Sequence, residues 1–435
     1  MDPPHQLGLL DLSDDVLRLL LSHRFLTNRE KACAARACRR LAAMVEFRRV
    51  VVRGSNRIRE ALAGGMCETL ECGDGGILDI FEALESARVE RLTHLRLRHL
   101  HWKYRVSPAL VGLRVIEVTD PVAVDPAATY DPRVWLTNVC LLEEAGGAAA
   151  CEYLRLHAAQ RPPKVLDVGL HERKGIAAVA ALAASGFRVE AVRCHPRRPP
   201  KHADLPALAD AVVALATNEI TVCMPCGCTA DALGGELVCA VARRFRTPAL
   251  TLDLVAGALV ALDANARDAC APMVLKLKGK NCEIKEADIA AFARLLTRGA
   301  IAELAIEYVT CDYLPMERIF ARAPALTSLS IKWIQLVAAV ALFVHCDQDF
   351  PGLRHLTLHV VHADKEDVDV EELLGELGHE VSRLRSLRSV TMVNAFGVNI
   401  GVGGGFPRFR RALLTNPPPH LDLASINLPL FNPGS

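Results

Sequence analysis

Short apolar segments with polar residues set between the apolar ones recur along most of this chain. They alternate with helical stretches at intervals of about 20 to 35 residues. The strand segments are 92–97, 113–118, 165–168, 187–192, 219–222, 250–254, 273–277, 304–306, 326–331, 353–358, 387–392 and 421–423. Between the later ones, 175–184, 205–216, 233–245, 286–297, 315–323 and 370–384 carry helical periodicity. A parallel strand needs a crossover before the next, and a helix is the usual one. The expected fold class is therefore α/β, with a strand and a helix per unit.

Two arrangements share this alternation. In a doubly wound sheet the strands are buried on both faces and read as unbroken apolar runs. Here they read L-x-x-L-x-L, which leaves one face wet, as on the concave side of a horseshoe. About a dozen strands is also too many for one open sheet, and a barrel of this type closes at eight. The expectation is a solenoid. Strands at 50–52 and 69–72 would open it, 119–150 reads as irregular or inserted because of Pro121, Pro126 and Pro132, and the glycine-rich 397–406 reads as a flexible loop.

The first 48 residues differ. Leu10, Leu12, Val16, Leu17 and Leu20 lie on one face of a helix that Ser13 can cap, and a second helix from Asn28 carries Leu41 and Met44. The domain boundaries expected are 1–48 and 49–435. Lys plus Arg is 51 and Asp plus Glu is 50, a balance that argues against a nucleic-acid partner. The start has no basic segment followed by an apolar one, so no secretory signal is expected. The longest apolar run, 333–346, is shorter than a membrane span and reads as a buried helix. An intracellular chain, cytoplasmic or nuclear, with no membrane association is expected, its 15 cysteines mostly small buried hydrophobes.

The N-terminal segment resembles the F-box. It opens Leu12-Ser13-Asp14-Asp15-Val16-Leu17 and ends Ala37-Cys38-Arg39-Arg40-Leu41, with Ser13 and Leu41 where that motif has proline and tryptophan. The remainder resembles leucine-rich repeat proteins with long, helix-containing, ribonuclease-inhibitor-like repeats, though the asparagine that usually closes the repeat motif is mostly absent. The combination implies a substrate-recognition subunit of an SCF-type (cullin-RING) ubiquitin ligase. The F-box-like helices would bind a Skp1-type adaptor of the cullin ligase core, and the repeat face would bind a protein substrate. The alternative is a leucine-rich repeat interaction scaffold without ligase association. In either case no enzymatic activity and no cofactor is implied. The adaptor anchors would be Leu10, Leu12, Val16, Leu17, Leu20, Leu41 and Met44.

Residues between the apolar positions must point to the wet side and stack across parallel strands. On that basis Arg96, Arg114, Arg188, Lys276, Lys332 and Arg354 are the expected substrate contacts. Two further basic clusters surround His94 to Arg105 and Arg193 to His202. Asp167, Glu190, Asp253, Glu303 and Glu307 recur near strands without forming a readable acid–base pair. Cys223-Met224-Pro225-Cys226-Gly227-Cys228 supplies half of a zinc pattern, with Cys194-His195 and Cys239 as distant contributors, and the expectation is no metal. Gly401-Val402-Gly403-Gly404-Gly405 lacks the Gly-Lys-Ser/Thr ending of a phosphate loop. No catalytic residue is assigned.

Overall fold

The structure is a computed structural model that describes residues 16–17, 49–52, 69–72, 84, 92–98, 113–120, 122–123, 133–141, 150–152, 154–155, 162–169, 173–195, 201–223, 232–266, 272–279, 285–307, 316–320, 322–361, 370–396 and 406–428. The chain is α/β, with helices alternating with parallel strands. It divides into two compact units, 1–141 with 156–165, and 142–155 with 166–435. Residues 18–48 lie outside the described ones, and with them the boundary expected at residue 48.

Unit 1 carries β1 (Arg49–Val52), β2 (Thr69–Cys72), β3 (His94–Leu97), β4 (Val115–Val118), β5 (Val122–Ala123), β6 (Val134–Leu136) and β7 (Asn138–Leu141). Five of them form a parallel sheet in the order β1-β2-β3-β4-β6, and β5 pairs with β7. The region 119–150, expected to be irregular, thus contains three short strands.

Unit 2 runs β8 (Val165–Val168), α1 (Arg173–Ala184), β9 (Val189–Cys194), α2 (Leu205–Leu215), β10 (Ala216–Val222), α3 (Ala232–Ala242) and β11 (Ala249–Asp253). It continues with α4 (Ala258–Ala266), β12 (Met273–Lys278), α5 (Glu286–Thr297), β13 (Ile301–Glu307), α6 (Met316–Ile319), β14 (Ser328–Gln335), α7 (Leu336–Phe343) and α8 (Cys346–Asp349). Then follow β15 (His355–Val361), α9 (Val370–Ser382), β16 (Ser389–Phe396), α10 (Pro407–Thr415) and β17 (Ile426–Asn427). From β8 to β17 each strand lies beside its neighbour in chain order.

Register explains the alternating pattern. Val192, Ile220, Leu250, Leu275, Leu304, Leu329, Leu356 and Val390 form one row across the strands, and Cys194, Val222, Leu252, Leu277, Ile306, Ile331, Leu358 and Met392 form another. No side chain in either row is more than 2% exposed. Full burial of each large aliphatic chain stabilises by roughly 1.5–3 kcal/mol. The row between them is mostly half-exposed, Thr251 being its buried member, so these strands are buried mainly on one side.

Successive helices contact one another in chain order along α1 to α5. Phe292, Phe320, Phe350 and Phe343 link successive strand-and-helix repeats of unit 2, with ring centroids 6.2, 5.7 and 5.7 Å apart. Within unit 2, arginines reach back to carboxylates of the preceding strand-and-helix repeat: Arg244 to Asp210, Arg318 to Glu286, and Arg383 to Asp347 at 2.9 Å. Buried Asp263 sits between Arg294 (3.0 Å) and Arg298 (2.7 Å). The carboxylate of Asp288, buried at the start of α5, accepts N–H bonds from Gly257, Leu259 and Val260 at 2.7, 3.0 and 3.2 Å. It therefore caps α4 from the next helix, supplying what a local N-cap would. Gly186 and Gly299, at φ 83° and 76°, close α1 and α5 in the left-handed conformation that favours glycine.

Three expectations need correction. The run 333–346 is not one buried helix: its first residues complete β14, α7 follows, and Val337 and Val344 are 56% and 40% exposed. The segment 421–423 is no strand. Asp422 accepts bonds from Ala424 N and Ser425 Oγ, which curls the chain into a 3-10 turn before β17. Helices α4 and α10 occupy segments where none was expected.

Candidate functional site

The half-exposed side of the unit 2 strands presents a row defined by register: Arg193, Thr221, Thr251, Lys276, Ala305, Ser330, Thr357 and Thr391. Lys276 is its sole formal charge from β10 to β16, among short neutral side chains. Two residues further along each strand, the row becomes charged: Asp253 pairs in register with Lys278, Lys278 with Glu307, and Lys332 with His359. Lys332 Nζ donates to Glu307 Oε1 at 2.7 Å. Burial alone would raise the Glu307 carboxyl. The Lys332 hydrogen bond and the charges of Lys332, Lys276 and Lys278 outweigh it and hold the group below the usual range. Burial, with Lys332 nearby, pushes His359 down, so it is neutral at pH 7.

Unit 1 has its own half-exposed row, Glu71, Arg96, Glu117 and Trp135. Arg96 lies 3.6 Å from both Glu71 and Glu117. Glu117 is buried and also meets His94 Nε2 at 3.1 Å. Lys164 stands 5.2 Å from the Trp135 ring centroid, and Trp135 Nε1 donates to Pro162 O.

The six expected substrate contacts are therefore not one surface. Lys276 and Lys332 share the half-exposed side of unit 2, and Arg96 occupies the corresponding row of unit 1. Arg114, Arg188 and Arg354 each stand one residue before a strand, in step with its buried positions but beyond its end, where they are exposed. Arg188 there donates to Ala183 O and Phe187 O. Of the adaptor anchors, Val16 is 42% exposed and Leu17 fully buried. Leu10, Leu12, Leu20, Leu41 and Met44 lie outside the described residues.

The chemical candidates resolve into structural contacts. His195 faces Asp167 at 2.7 Å and His202 faces Glu236 at 2.7 Å. Cys223 follows β10, and its N–H bonds Cys194 O. Cys226, Cys228 and 401–405 lie outside the described residues. Burial pushes the thiols of Cys151, Cys194 and Cys346 up to about 12, so they remain protonated at neutral pH. Among the described residues no three His, Cys, Asp or Glu side chains are grouped to hold a metal. A groove of about 840 Å³ runs between α2, α3, α4 and the start of α5, floored by Leu205, Gly235, Cys239, Val255 and Ala261. Its one buried carboxylate, Asp288, is committed to capping α4. The feature that sequence reasoning missed is Trp333, an extra residue in β14 at φ 72°. The one signal available was an aromatic residue placed where the alternation of β14 slips.

No family model matches the chain, and no curated protein matches it. Among the described residues no helix is long and apolar enough to cross a membrane.

Proposed function

We propose that this protein is a non-enzymatic, intracellular substrate-recognition subunit of a cullin-type ubiquitin ligase. Its strand-and-helix units would form a leucine-rich repeat solenoid whose half-exposed strand side binds a protein substrate. Its F-box-like N-terminal helices would bind a Skp1-type adaptor. The observation that carries the binding role is the register. The eight neighbouring strands β9 to β16, in chain order, bury one set of rows and leave the other mostly half-exposed, a continuous surface suited to recognition by contact. The adaptor role rests on the F-box-like sequence.

The test is capture of a purified Skp1-type adaptor by the full-length chain and by Val16→Asp and Leu20→Asp variants. Exposed Val16 is the cleaner anchor. Leu17→Asp would place a charge in a fully buried position and report on folding instead. Loss of capture by roughly tenfold or more, with unchanged circular dichroism, is expected of an anchor. Adaptor binding absent from the unaltered chain favours the second reading, a repeat scaffold without ligase association. Complete burial of Leu17, which suits a helix packed against the body of the protein, is the observation on that side.

A further inference from the structure

Trp333 is a bulky residue held in the left-handed region, at φ 72°. It is the extra residue of a β-bulge: Lys332 faces His359 and Ile334 faces Val360, so the register against β15 shifts at Trp333. The slip keeps Ile331 and Ile334 both fully buried while inserting a half-exposed tryptophan between them. A strained aromatic residue is rare, and such positions concentrate where a ligand is gripped. Lys332 precedes it directly. Lys278 lies opposite Glu307 in register and Lys332 Nζ donates to its Oε1 at 2.7 Å, and against the effect of burial the charges of Lys332, Lys276 and Lys278 hold that carboxyl down. Asp253 stands beside Lys278, so among the described residues these strand ends carry three lysines against two carboxylates, with His359 uncharged. Across the adjoining row, Thr251, Ala305, Ser330 and Thr357 are short and neutral, so nothing charged competes with Lys276 there.

We propose that the C-terminal ends of β12 to β15 bind an extended acidic segment of a protein partner, its carboxylates meeting Lys276, Lys278 and Lys332 and an apolar side chain packing on Trp333. The assignment rests on the reading of the half-exposed strand side as the binding surface and names the chemistry of its partner. Charge selects and steers such a segment, and a single large aromatic supplies an anchor.

The test uses the full-length chain with Trp102→Phe and Trp135→Phe, which leaves Trp333 as the one tryptophan. The probe is a dye-labelled oligoglutamate peptide with a central Leu-Phe pair. A lysine counterpart and single-stranded oligothymidylate serve as comparisons. Saturable polarisation of the glutamate peptide with a shift in tryptophan emission is expected. Lys276→Glu with Lys278→Glu should weaken it roughly tenfold or more, as should Trp333→Asn. Asparagine tolerates the left-handed conformation and so preserves the bulge. Absence of saturable binding overturns the proposal. So does affinity unchanged in either variant, equal binding of the lysine peptide, or tighter binding of the oligonucleotide through the same residues. Adaptor capture is measured on the same variants. Capture retained while the peptide fails to bind sinks this site alone, whereas capture lost from the unaltered chain sinks the ligase reading alone.

Discussion

The half-exposed strand rows of the two units obey the same alternation and end as different surfaces. In unit 1 the row is closed on itself. Arg96 stands between Glu71 and Glu117, His94 takes the other oxygen of Glu117, and Lys164 lies over Trp135. In unit 2 the equivalent row from β10 to β16 is threonine, serine and alanine around one lysine, and the charges are displaced to the strand ends, where lysines outnumber carboxylates among the described residues. Alternation fixes which side a residue faces. Whether that side is self-satisfied or open to a partner depends on the residue one strand away, at a sequence distance of about 20 to 35 residues. Among the described residues of these rows, unit 1 spends its charges internally, and unit 2 leaves some available.

The strongest challenge to this comparison lies beneath the surfaces, in the buried rows that both units share. Leu95 and Leu329 are 0% and 1% exposed at equivalent strand positions. Leu95→Ala and Leu329→Ala should each cost about 2–5 kcal/mol by chemical denaturation. Thr357→Ala, on the open row, should stay within about 0.5 kcal/mol. A Thr357→Ala cost that matched Leu329→Ala would mean the unit 2 row is packed rather than open.

Charge removal should then separate the two surfaces. Arg96→Met leaves Glu71 and the buried Glu117 facing one another across the gap, and should destabilise by about 2 kcal/mol, discounted because Arg96 is itself partly exposed. Lys276→Met, among neutral neighbours, should change stability by less than about 0.5 kcal/mol. Equal losses in denaturant midpoint would remove the distinction between a closed row and an open one.

How far the sequence could be read follows from the same physics. Period-two alternation located eleven of the expected strand segments at or overlapping observed strands, β3 and β4 and β8 to β16, because a one-residue slip would reverse every side chain. The same rule put Lys276 and Lys332 on the half-exposed side, where they lie. It misled at Arg114, Arg188 and Arg354, since parity means nothing once the chain has left the sheet. Helix α4 escaped notice because Ala258–Ala266 is apolar and small nearly all round, without the polar stripe that marks an amphipathic helix. Its start is capped by Asp288, thirty residues downstream in the next helix, so no local N-cap signal exists. The Trp333 bulge and the carboxylate–arginine contacts are likewise long-range, and no pattern within one repeat announces them.

The gentlest probe of the comparison is the titration of Glu307. Its folded carboxyl lies below the ordinary range because Lys332, Lys276 and Lys278 overcome the effect of burial. The unfolded chain therefore takes up its proton first as pH falls. The stabilisation is fully present above the ordinary glutamate pKa of about 4.3 and is lost as pH drops through the lower folded value. Glu307→Gln should accordingly flatten the acid side of the stability profile and lower pH 7 stability by the same amount, a small one because partly exposed pairs contribute little. Lys332→Met should move the Glu307 carboxyl upward by NMR titration, because burial then meets only two lysines. An acid limb identical in the Glu307→Gln variant, or a Glu307 resonance unmoved by Lys332→Met, would mean that the lysines are not gathered on this carboxylate. The open row of unit 2 would then have no cationic end.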